Sequence, residues 1–418
     1  MDEITRTHED TRGVLSEEEI LAAEDACRTL MGELSEHRGR LVATRSETAC
    51  ARCLRDDLGT AATTRLEAFK ASPLAGRAGC ALIAAAYFLA LVFYFVSFAG
   101  GRAAGIALTA FSVVVLAAGL VLTGGVFLGS RKLCRLLPGR VSYNVFSESF
   151  PSAKQQDGKL LVIACTHSSP PGSYFANFAL VRKVVFIAVP ASLAAFLLLA
   201  VLKMALGTDT VAKITVFSIF PTIAAAAGIV PLALHFSFSR DHARENSGAG
   251  VAAAAAVYRH FLAHPEQLPE GTRVCFVSFG GEYAAHAGSR AFAAAHPEIA
   301  GARAVVIDDI TGGRLRVIRK DALRGEVLSR TASAVAERAA KRTGIGYEIA
   351  PAEGLKSKLN ALHGYAAEAL AAAGCDAVML SSKDYSASDE PAEDPCTVAA
   401  RVFDFVVNLA AEGEDDER

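Results

Sequence analysis

Apolar residues fall into four long runs and a larger set of short ones. The long runs cover Ala78–Ala99, Ala103–Gly129, Val184–Ala205 and Ile214–Phe238. Each is long enough for a helix that crosses a bilayer, which needs about 20 apolar residues. Because the runs come in two pairs with short connections, the pattern predicts two transmembrane helical hairpins. Lys203, near the end of the third run, is expected to extend its ammonium group toward water.

Short strand-like runs alternate with helix-like stretches in the rest of the chain. The predicted strands are 64–71, 141–150, 159–167, 272–279, 302–309, 346–350 and 376–380. The predicted helices are 16–40, 47–58, 249–263, one from about 282, 325–343, 363–373 and 396–411, with Asn246 and Ser247 capping the third. This alternation is typical of a largely parallel sheet flanked by helices, so the predicted fold class is α/β.

The two hairpins interrupt this α/β domain. The expected divisions are N-terminal helices and a first strand at 1–77, hairpin one at 78–129, the domain continued at 130–183, hairpin two at 184–238, the remainder of the domain at 239–411, and an acidic tail at 412–418. Surface connections between elements tolerate insertions of this kind. We therefore expect a single α/β domain that is assembled from three segments of the chain.

Composition and charge exclude several classes of protein. The net charge is −2 and the basic residues form no stripe, so the chain lacks the electrostatic signature of a nucleic-acid-binding protein. Nine cysteines, an odd number, are scattered along the 418 residues, and several lie in apolar runs. That usage is typical of reduced thiols in a reducing compartment rather than of a disulfide framework.

Basic residues on either side of the long runs predict the orientation in the membrane. Three lie in the hairpin loops, at Arg102, Lys203 and Lys213, whereas eleven flank the hairpins on the other side, at Arg65, Lys70, Arg77, Arg131, Lys132, Arg135, Arg140, Arg182, Lys183, Arg240 and Arg244. Positively charged flanks remain on the cytoplasmic side. The prediction is a cell-membrane protein whose termini and α/β domain face the cytoplasm.

Candidate chemistry lies where the predicted strands end. His167 ends one strand, Glu282 follows another, and Asp308 and Asp309 end a third. In parallel sheets, ligands bind at the carboxyl ends of the strands. One histidine, one glutamate and one aspartate at adjacent strand ends are the side chains that a metal-dependent hydrolase uses, although each alone is more often a cap or turn residue.

The order of several segments carries a resemblance to a known family. These segments are Arg40–Pro73 (RLVATRSETACARCLRDDLG…RLEAFKASP), LLVIACTHSS (160–169), ARENSGAGVA (243–252), VCFVSFGGEYAAHAGSR (274–290), VVIDDITG (305–312) and GYAAEALAAAGCDAVML (364–380). Together they resemble the di-zinc exopeptidases of metallopeptidase family twenty-eight, which includes bacterial leucyl aminopeptidases. The resemblance covers nearly all of the chain outside the long apolar runs, and it implies a zinc-exopeptidase-like fold.

The resemblance also implies a metal site with residues in defined roles. The family holds two zinc ions that share a bridging carboxylate, and a glutamate acts as general base on the metal-bound water. Carried onto this chain, the first histidine ligand is His167, the aspartate ligand is Asp309, and the general base is Glu282. Asn246 falls on the bridging aspartate and would be a weak, neutral ligand.

Several of the family's other positions are changed. Ser169 stands where an aspartate orients the first histidine, and Tyr283 stands where a glutamate binds the second metal. The stretch 385–395, where the final histidine is expected, contains none. Since zinc sites normally have three or four protein ligands, zinc binding is expected to be weak or absent.

The sequence therefore predicts a membrane-embedded, degenerate member of the family: a pseudopeptidase with a binding or scaffold role. One alternative is a working zinc aminopeptidase or hydrolase with a shifted or single-metal site, and another is transport through the spans. The second hairpin lies between the His167 strand and the 249–263 helix. We therefore expect a peptide or another ligand close to the membrane, with lipid as a further partner; the oligomeric state is left open.

Overall fold

The computed structural model describes residues 15–37, 39–59, 63–72, 75–127, 138–149, 159–169, 179–236, 248–308, 310, 315–319, 327–343, 347–350, 366–382 and 394–411. The chain divides into two compact units. The first contains residues 1–71, 140–170 and 241–418, and the second contains residues 72–139 and 171–240.

The first unit is an α/β domain. Its strands are β1 Thr63–Ala71, β2 Arg140–Glu148, β3 Leu160–Thr166, β4 Arg273–Phe279, β5 Arg303–Ile307, β6 Leu315–Ile318, β7 Tyr347–Ala350 and β8 Asp376–Ser381. Its helices are α1 Glu17–Glu36, α2 Arg45–Leu58, α7 Ala249–Ala263, α8 Ala287–Ala295, α9 Arg330–Thr343, α10 Ala366–Ala372 and α11 Pro395–Ala411. Short 3₁₀ turns follow α7 and α8 at Pro265–Gln267 and Pro297–Ile299.

The eight strands form one mixed sheet in the order β1-β2-β4-β3-β5-β8-β6-β7. The central strands β4, β3, β5 and β8 are parallel, while β1–β2, β2–β4 and β8–β6 pair antiparallel and β6–β7 pair parallel. Parallel strands at the centre bring the ends of β3, β4 and β5 to the same edge. This confirms the predicted α/β fold class with a largely parallel sheet.

Helices cover both faces of the sheet. Ile163 and Cys165 of β3 point into a core that is shared with α1, α2, α7, α9 and α11, whereas Val162 and Ala164 point into a second core with α8 and α10. Burial on both faces explains why the central strands are continuous apolar runs rather than alternating ones. The alanine-rich α7 lies close to the sheet, and a Cβ on Gly250 would stand 3.0 Å from the carbonyl oxygen of Ile307.

The described part of the second unit contains four helices: α3 Ala75–Ala99, α4 Arg102–Phe127, α5 Ala179–Leu206 and α6 Val211–Phe236. All four are long and apolar enough to cross a membrane. The position of Lys203 near a helix end predicted that its ammonium group extends toward water, and this prediction is wrong. Its side chain is buried, donates to the carbonyl of Tyr94 (3.2 Å) and to Ser97, and lies over the ring of Phe98.

Two local predictions for the α/β domain are corrected by the structure, and one strand is added. The helix expected from Glu282 begins only at Ala287, because residues 282–286 form a turn. The N-cap of α7 is Gly248, in a left-handed conformation and without a side-chain cap, while Asn246 and Ser247 lie outside the described residues. Strand β6 was not predicted, because four residues among charged and glycine-rich neighbours give too short a pattern.

Candidate functional site at the strand ends

Among the described residues, His167 and Asp308 lie where β3 and β5 end, next to the end of β4. The backbone N–H of His167 donates to the carbonyl of Phe279 (3.1 Å), which ties the end of β3 to the end of β4. Thr166 donates its hydroxyl to a carboxylate oxygen of Asp308 (2.9 Å), which ties β3 to β5. The predicted ligands Asn246 and Asp309 lie outside the described residues, as does 383–393, which contains most of the stretch where the last ligand was sought.

The His167 imidazole is fully buried and neutral. Its Nδ1 lies 2.9 Å from the hydroxyl oxygen of Ser278, and its Nε2 has no hydrogen-bond partner among the described residues. Burial lowers the pKa of His167 to about 3, and the nearby charge of Arg40 acts in the same direction. A neutral imidazole with one unpaired nitrogen has the protonation state that a metal ligand requires.

Ser278 of β4, rather than Ser169, holds the imidazole in place. The resemblance predicts an orienting residue at Ser169, but the backbone N–H of Ser169 donates to the carbonyl of Arg40 (2.7 Å). Its hydroxyl has no hydrogen-bond partner among the described residues. Metal-binding histidines commonly have a carboxylate or carbonyl partner, whereas the described partner of the His167 side chain is the uncharged hydroxyl of Ser278.

The Glu282 carboxylate holds the first turn of α8. It is buried, with a relative exposure of 5%. One oxygen accepts from the backbone N–H of Ser289 (2.6 Å), and the other accepts from the Ser289 hydroxyl (3.0 Å) and from Nδ1 of His286 (2.9 Å). These bonds do the work of a helix cap, which the N-cap residue His286 does not supply through its own side chain.

A strained turn produces this arrangement. The backbone N–H of His286 donates to the carbonyl of Glu282 (2.8 Å), and Ala285 and His286 have φ angles of 59° and 56°. Positive φ is uncommon for residues other than glycine and costs free energy. Burial lowers the pKa of His286, but its hydrogen bond with Glu282 and the carboxylate charge outweigh burial and raise the pKa above its usual value.

A second buried carboxylate, Glu47, was not predicted as part of the site. Its two oxygens accept from the backbone N–H groups of Ala43 (2.6 Å) and Gly281 (2.8 Å) and from the Ser142 hydroxyl (2.8 Å). Burial raises the pKa of Glu47 to about 7, and the charge of Glu282 adds to the rise. The T-x-x-E spacing from Thr44 is typical of a solvent-exposed capping box. That pattern does not indicate that the Glu47 side chain contacts the loop after β4.

Asn144 of β2 completes the support of the loop after β4. Its side-chain oxygen accepts from the backbone N–H of Gly280 (3.1 Å), and its amide donates to the carbonyl of Gly288 (2.9 Å). A Cβ on Gly280 would overlap the carbonyl of Tyr143 and lie 3.2 Å from Nε2 of His167. Close backbone approach therefore requires glycine at Gly280.

The described residues do not supply the donor set for two zinc ions at this edge. His167 is the one predicted ligand that they include, and the Glu282 carboxylate accepts hydrogen bonds from the start of α8. Tyr283, where the resemblance predicts a glutamate ligand, is half-buried and would present a phenol. Within the described ranges, the one group of three metal-binding side chains is Glu19, His260 and His264, on α1 and at the end of α7.

No protein-family model and no curated protein sequence matches the chain. Among solved structures, it is similar to the glutaminyl cyclase of Fimbriiglobus ruber (14% identity, 93% of this chain and 94% of that one, TM-score 0.41). It is also similar to an aminopeptidase from Aneurinibacillus sp. strain AM-1 (12% identity, 96% of this chain and 97% of that one, TM-score 0.43). A third similar structure is the LapA aminopeptidase of Legionella pneumophila (10% identity, 98% of this chain and 78% of that one, TM-score 0.44). These are similarities of fold alone.

Proposed function

We propose that the α/β domain is a non-catalytic binding module, a pseudopeptidase, in a membrane-anchored protein. The observation that carries the proposal is the bonding of Glu282, the residue in the position of the general base. Its carboxylate accepts three hydrogen bonds, all from the turn and first residues of α8.

A general base needs a carboxylate oxygen within hydrogen-bond reach of the water that it deprotonates. Glu282 is 5% exposed, and both oxygens already accept from Ser289. Removing these bonds to free the carboxylate would expose the N-terminal amide of α8 and open the strained turn. The geometry therefore favours a structural role for Glu282.

An aminopeptidase assay tests the proposal. The full-length protein in detergent would be incubated with chromogenic aminoacyl substrates while zinc is titrated. We expect no zinc-dependent hydrolysis by the wild-type protein, so that Glu282→Gln and wild type give the same background rate. Zinc-dependent hydrolysis in the wild-type protein that this substitution abolishes would overturn the proposal.

One observation favours the alternative of a single-metal hydrolase with a shifted site. His167 is neutral, and its Nε2 lacks a hydrogen-bond partner among the described residues. In His167→Asn, the amide can keep the contact with Ser278 but offers no imidazole. Under the alternative, this variant loses a zinc equivalent and hydrolytic activity together. The pseudopeptidase proposal predicts that the variant binds as much zinc as wild type and that neither protein hydrolyses the substrate.

The proposed ligand is a peptide or another ligand that is presented near the membrane. Two features support this class: the sequence resemblance to exopeptidases, and the insertion of a hairpin between β3 and α7 in the chain. Equilibrium binding of a mixed-sequence peptide library to protein in lipid nanodiscs, with empty nanodiscs as control, tests it. Enrichment that does not exceed the control would contradict it.

We further propose that both termini and the α/β domain lie in the cytoplasm. The excess of basic residues on the outer flanks of the hairpins supports this orientation, since eleven lie there and three lie in the hairpin loops. Single cysteines at Gly101 and Thr208, in a cysteine-free background, should react with an impermeant maleimide in intact cells. A cysteine at Glu270 should react only after lysis, and the reverse pattern would contradict the orientation.

A further inference from the structure

Three metal-binding side chains meet on α1 and α7, in a group separate from the strand-end site. His260 and His264 lie one helical turn apart at the end of α7, and Glu19 lies in the first turn of α1. A carboxylate oxygen of Glu19 and one ring nitrogen of each histidine all lie within 4.8 Å of one another. The two imidazole rings have centroids 4.9 Å apart, and all three residues are half-buried.

Each histidine has a hydrogen-bond acceptor on one ring nitrogen. Nε2 of His260 lies 2.7 Å from the side-chain oxygen of Gln267, and Nδ1 of His264 lies 3.2 Å from a carboxylate oxygen of Glu266. An acceptor at one nitrogen places the proton there and leaves the lone pair on the other. Metal-binding histidines are commonly oriented in this way, with the second nitrogen donating to a carboxylate or carbonyl oxygen.

Glu19 is also held in place while one oxygen remains for a metal. Its Oε2 accepts from the backbone N–H (2.8 Å) and the hydroxyl (2.7 Å) of Ser16, which completes the capping box of α1. Glutamate is ordinarily anionic at neutral pH. Because Oε2 takes both hydrogen bonds from Ser16, Oε1 is left to bind a cation.

We propose that Glu19, His260 and His264 bind a zinc ion that fastens α1 to the end of α7. Two imidazoles and one carboxylate form a donor set that suits zinc, with water in the fourth position. The ion would link the N-terminal helix to the helix that covers the centre of the sheet. This site is independent of the strand-end residues and of the proposed pseudopeptidase role.

Zinc titration of the full-length protein, stripped with a chelator and kept in detergent, tests the site. Competition with a chromogenic zinc indicator gives stoichiometry and affinity, and thermal unfolding gives the stabilisation. We expect ~1 equivalent of bound zinc and a rise in Tm with zinc concentration, because a ligand that binds only the folded state stabilises it.

Two variants and two matched controls identify the ligands. Glu19→Gln keeps the capping box, since glutamine can fill the same position, but it removes the anionic ligand. His264→Ala removes an imidazole whose side chain is 44% exposed, so the metal-free fold should change little. Both should lose the zinc-dependent rise in Tm and bind zinc at least ~10-fold more weakly. Glu18→Gln in α1 and His37→Ala at the C-cap of α1 should behave as wild type.

The outcomes separate this site from the strand-end site. Unchanged zinc binding in both Glu19→Gln and His264→Ala would overturn the proposal, as would a wild-type protein that binds no zinc. Loss of the equivalent in His167→Asn instead would assign the zinc to the strand ends. That result would also contradict the pseudopeptidase proposal, whereas loss only in His264→Ala and Glu19→Gln would leave it intact.

Discussion

Two buried carboxylates, Glu47 and Glu282, hold the loop that follows β4 from different elements. Glu47 reaches from α2 to the backbone N–H of Gly281, and Glu282 turns back to the first residues of α8. Both occupy the region where the sequence predicted catalysis. The structure gives their oxygens donors from the fold itself, so their burial is explained by structural bonds.

Glu47→Gln should flatten the dependence of stability on pH. The folded-state pKa of about 7 lies above the ordinary value of 4.5, so between these values the folded protein retains a proton that the unfolded chain releases. Stability from this group is therefore present at low pH and lost as pH rises toward 7, by on the order of 2–3 kcal/mol.

Chemical unfolding at intervals from pH 5 to 8 measures this slope. Since His286 also has a raised pKa, its contribution falls in the same direction and remains in the variant. The difference between the variant and wild-type curves therefore isolates Glu47. Glu36→Gln, at an exposed position at the end of α1, is the control, and equal slopes for all three proteins would show that Glu47 does not titrate in this range.

Glu282→Ala should destabilise the α/β domain by about 2–3 kcal/mol. The substitution leaves the buried N–H of Ser289 and Nδ1 of His286 without their charged acceptor, and bonds of this type are worth about 1.5–3 kcal/mol each. Chemical unfolding should show the loss, while Glu270→Ala, an exposed carboxylate before β4, should change little. Equal stability of the two variants would contradict the capping role.

The position of His167 could be predicted from the sequence, but the role of Glu282 could not. A histidine that follows a strand lies where that strand ends, and parallel central strands bring such ends to one edge of the sheet. Glu282 is different, because the left-handed backbone at Ala285 and His286 brings Ser289 back onto its carboxylate. Two successive positive φ angles at an alanine and a histidine leave no signature in the sequence.

At the scale of elements, the predicted strands at 64–71, 141–150, 159–167, 272–279, 302–309, 346–350 and 376–380 all have counterparts in the sheet. The central strands β3, β4, β5 and β8 are nearly continuous apolar runs that end at glycine or polar residues. Helix ends were less predictable. The start of α8 is capped by the Glu282 carboxylate from the preceding turn, and the start of α7 depends on the left-handed conformation of Gly248. The pairing order also could not be read from the chain, since β4 lies between β2 and β3.

Two glycine-to-alanine substitutions should have opposite effects. A Cβ on Gly288 of α8 would overlap the carbonyl of Gly280 and stand 2.8 Å from the side-chain oxygen of Asn144, so Gly288→Ala should destabilise by about 2 kcal/mol or more. Gly32 of α1 has nothing within 4 Å of its Cβ position, so Gly32→Ala should stabilise by roughly 0.5–1 kcal/mol. Thermal unfolding of both variants should move Tm in opposite directions, and a shift in the same direction would contradict the packing of α8.

At the scale of the whole molecule, the chain alternates between an α/β domain and a unit of four apolar helices. The long apolar runs made the second unit predictable from hydropathy alone. The contacts of Lys203 were not predictable, because they depend on which helices pack together. The chain order places a hairpin between β3 and α7.

The zinc content of purified His264→Ala protein tests the central claim most directly. With the α1–α7 site removed, we expect no tightly bound zinc and no zinc-dependent aminopeptidase activity. Of the predicted strand-end residues that the structure describes, His167 offers an imidazole nitrogen, whereas the Glu282 carboxylate already accepts hydrogen bonds from Ser289. Retention of one or two zinc equivalents that His167→Asn then removes, together with peptide hydrolysis that Glu282→Gln abolishes, would contradict it.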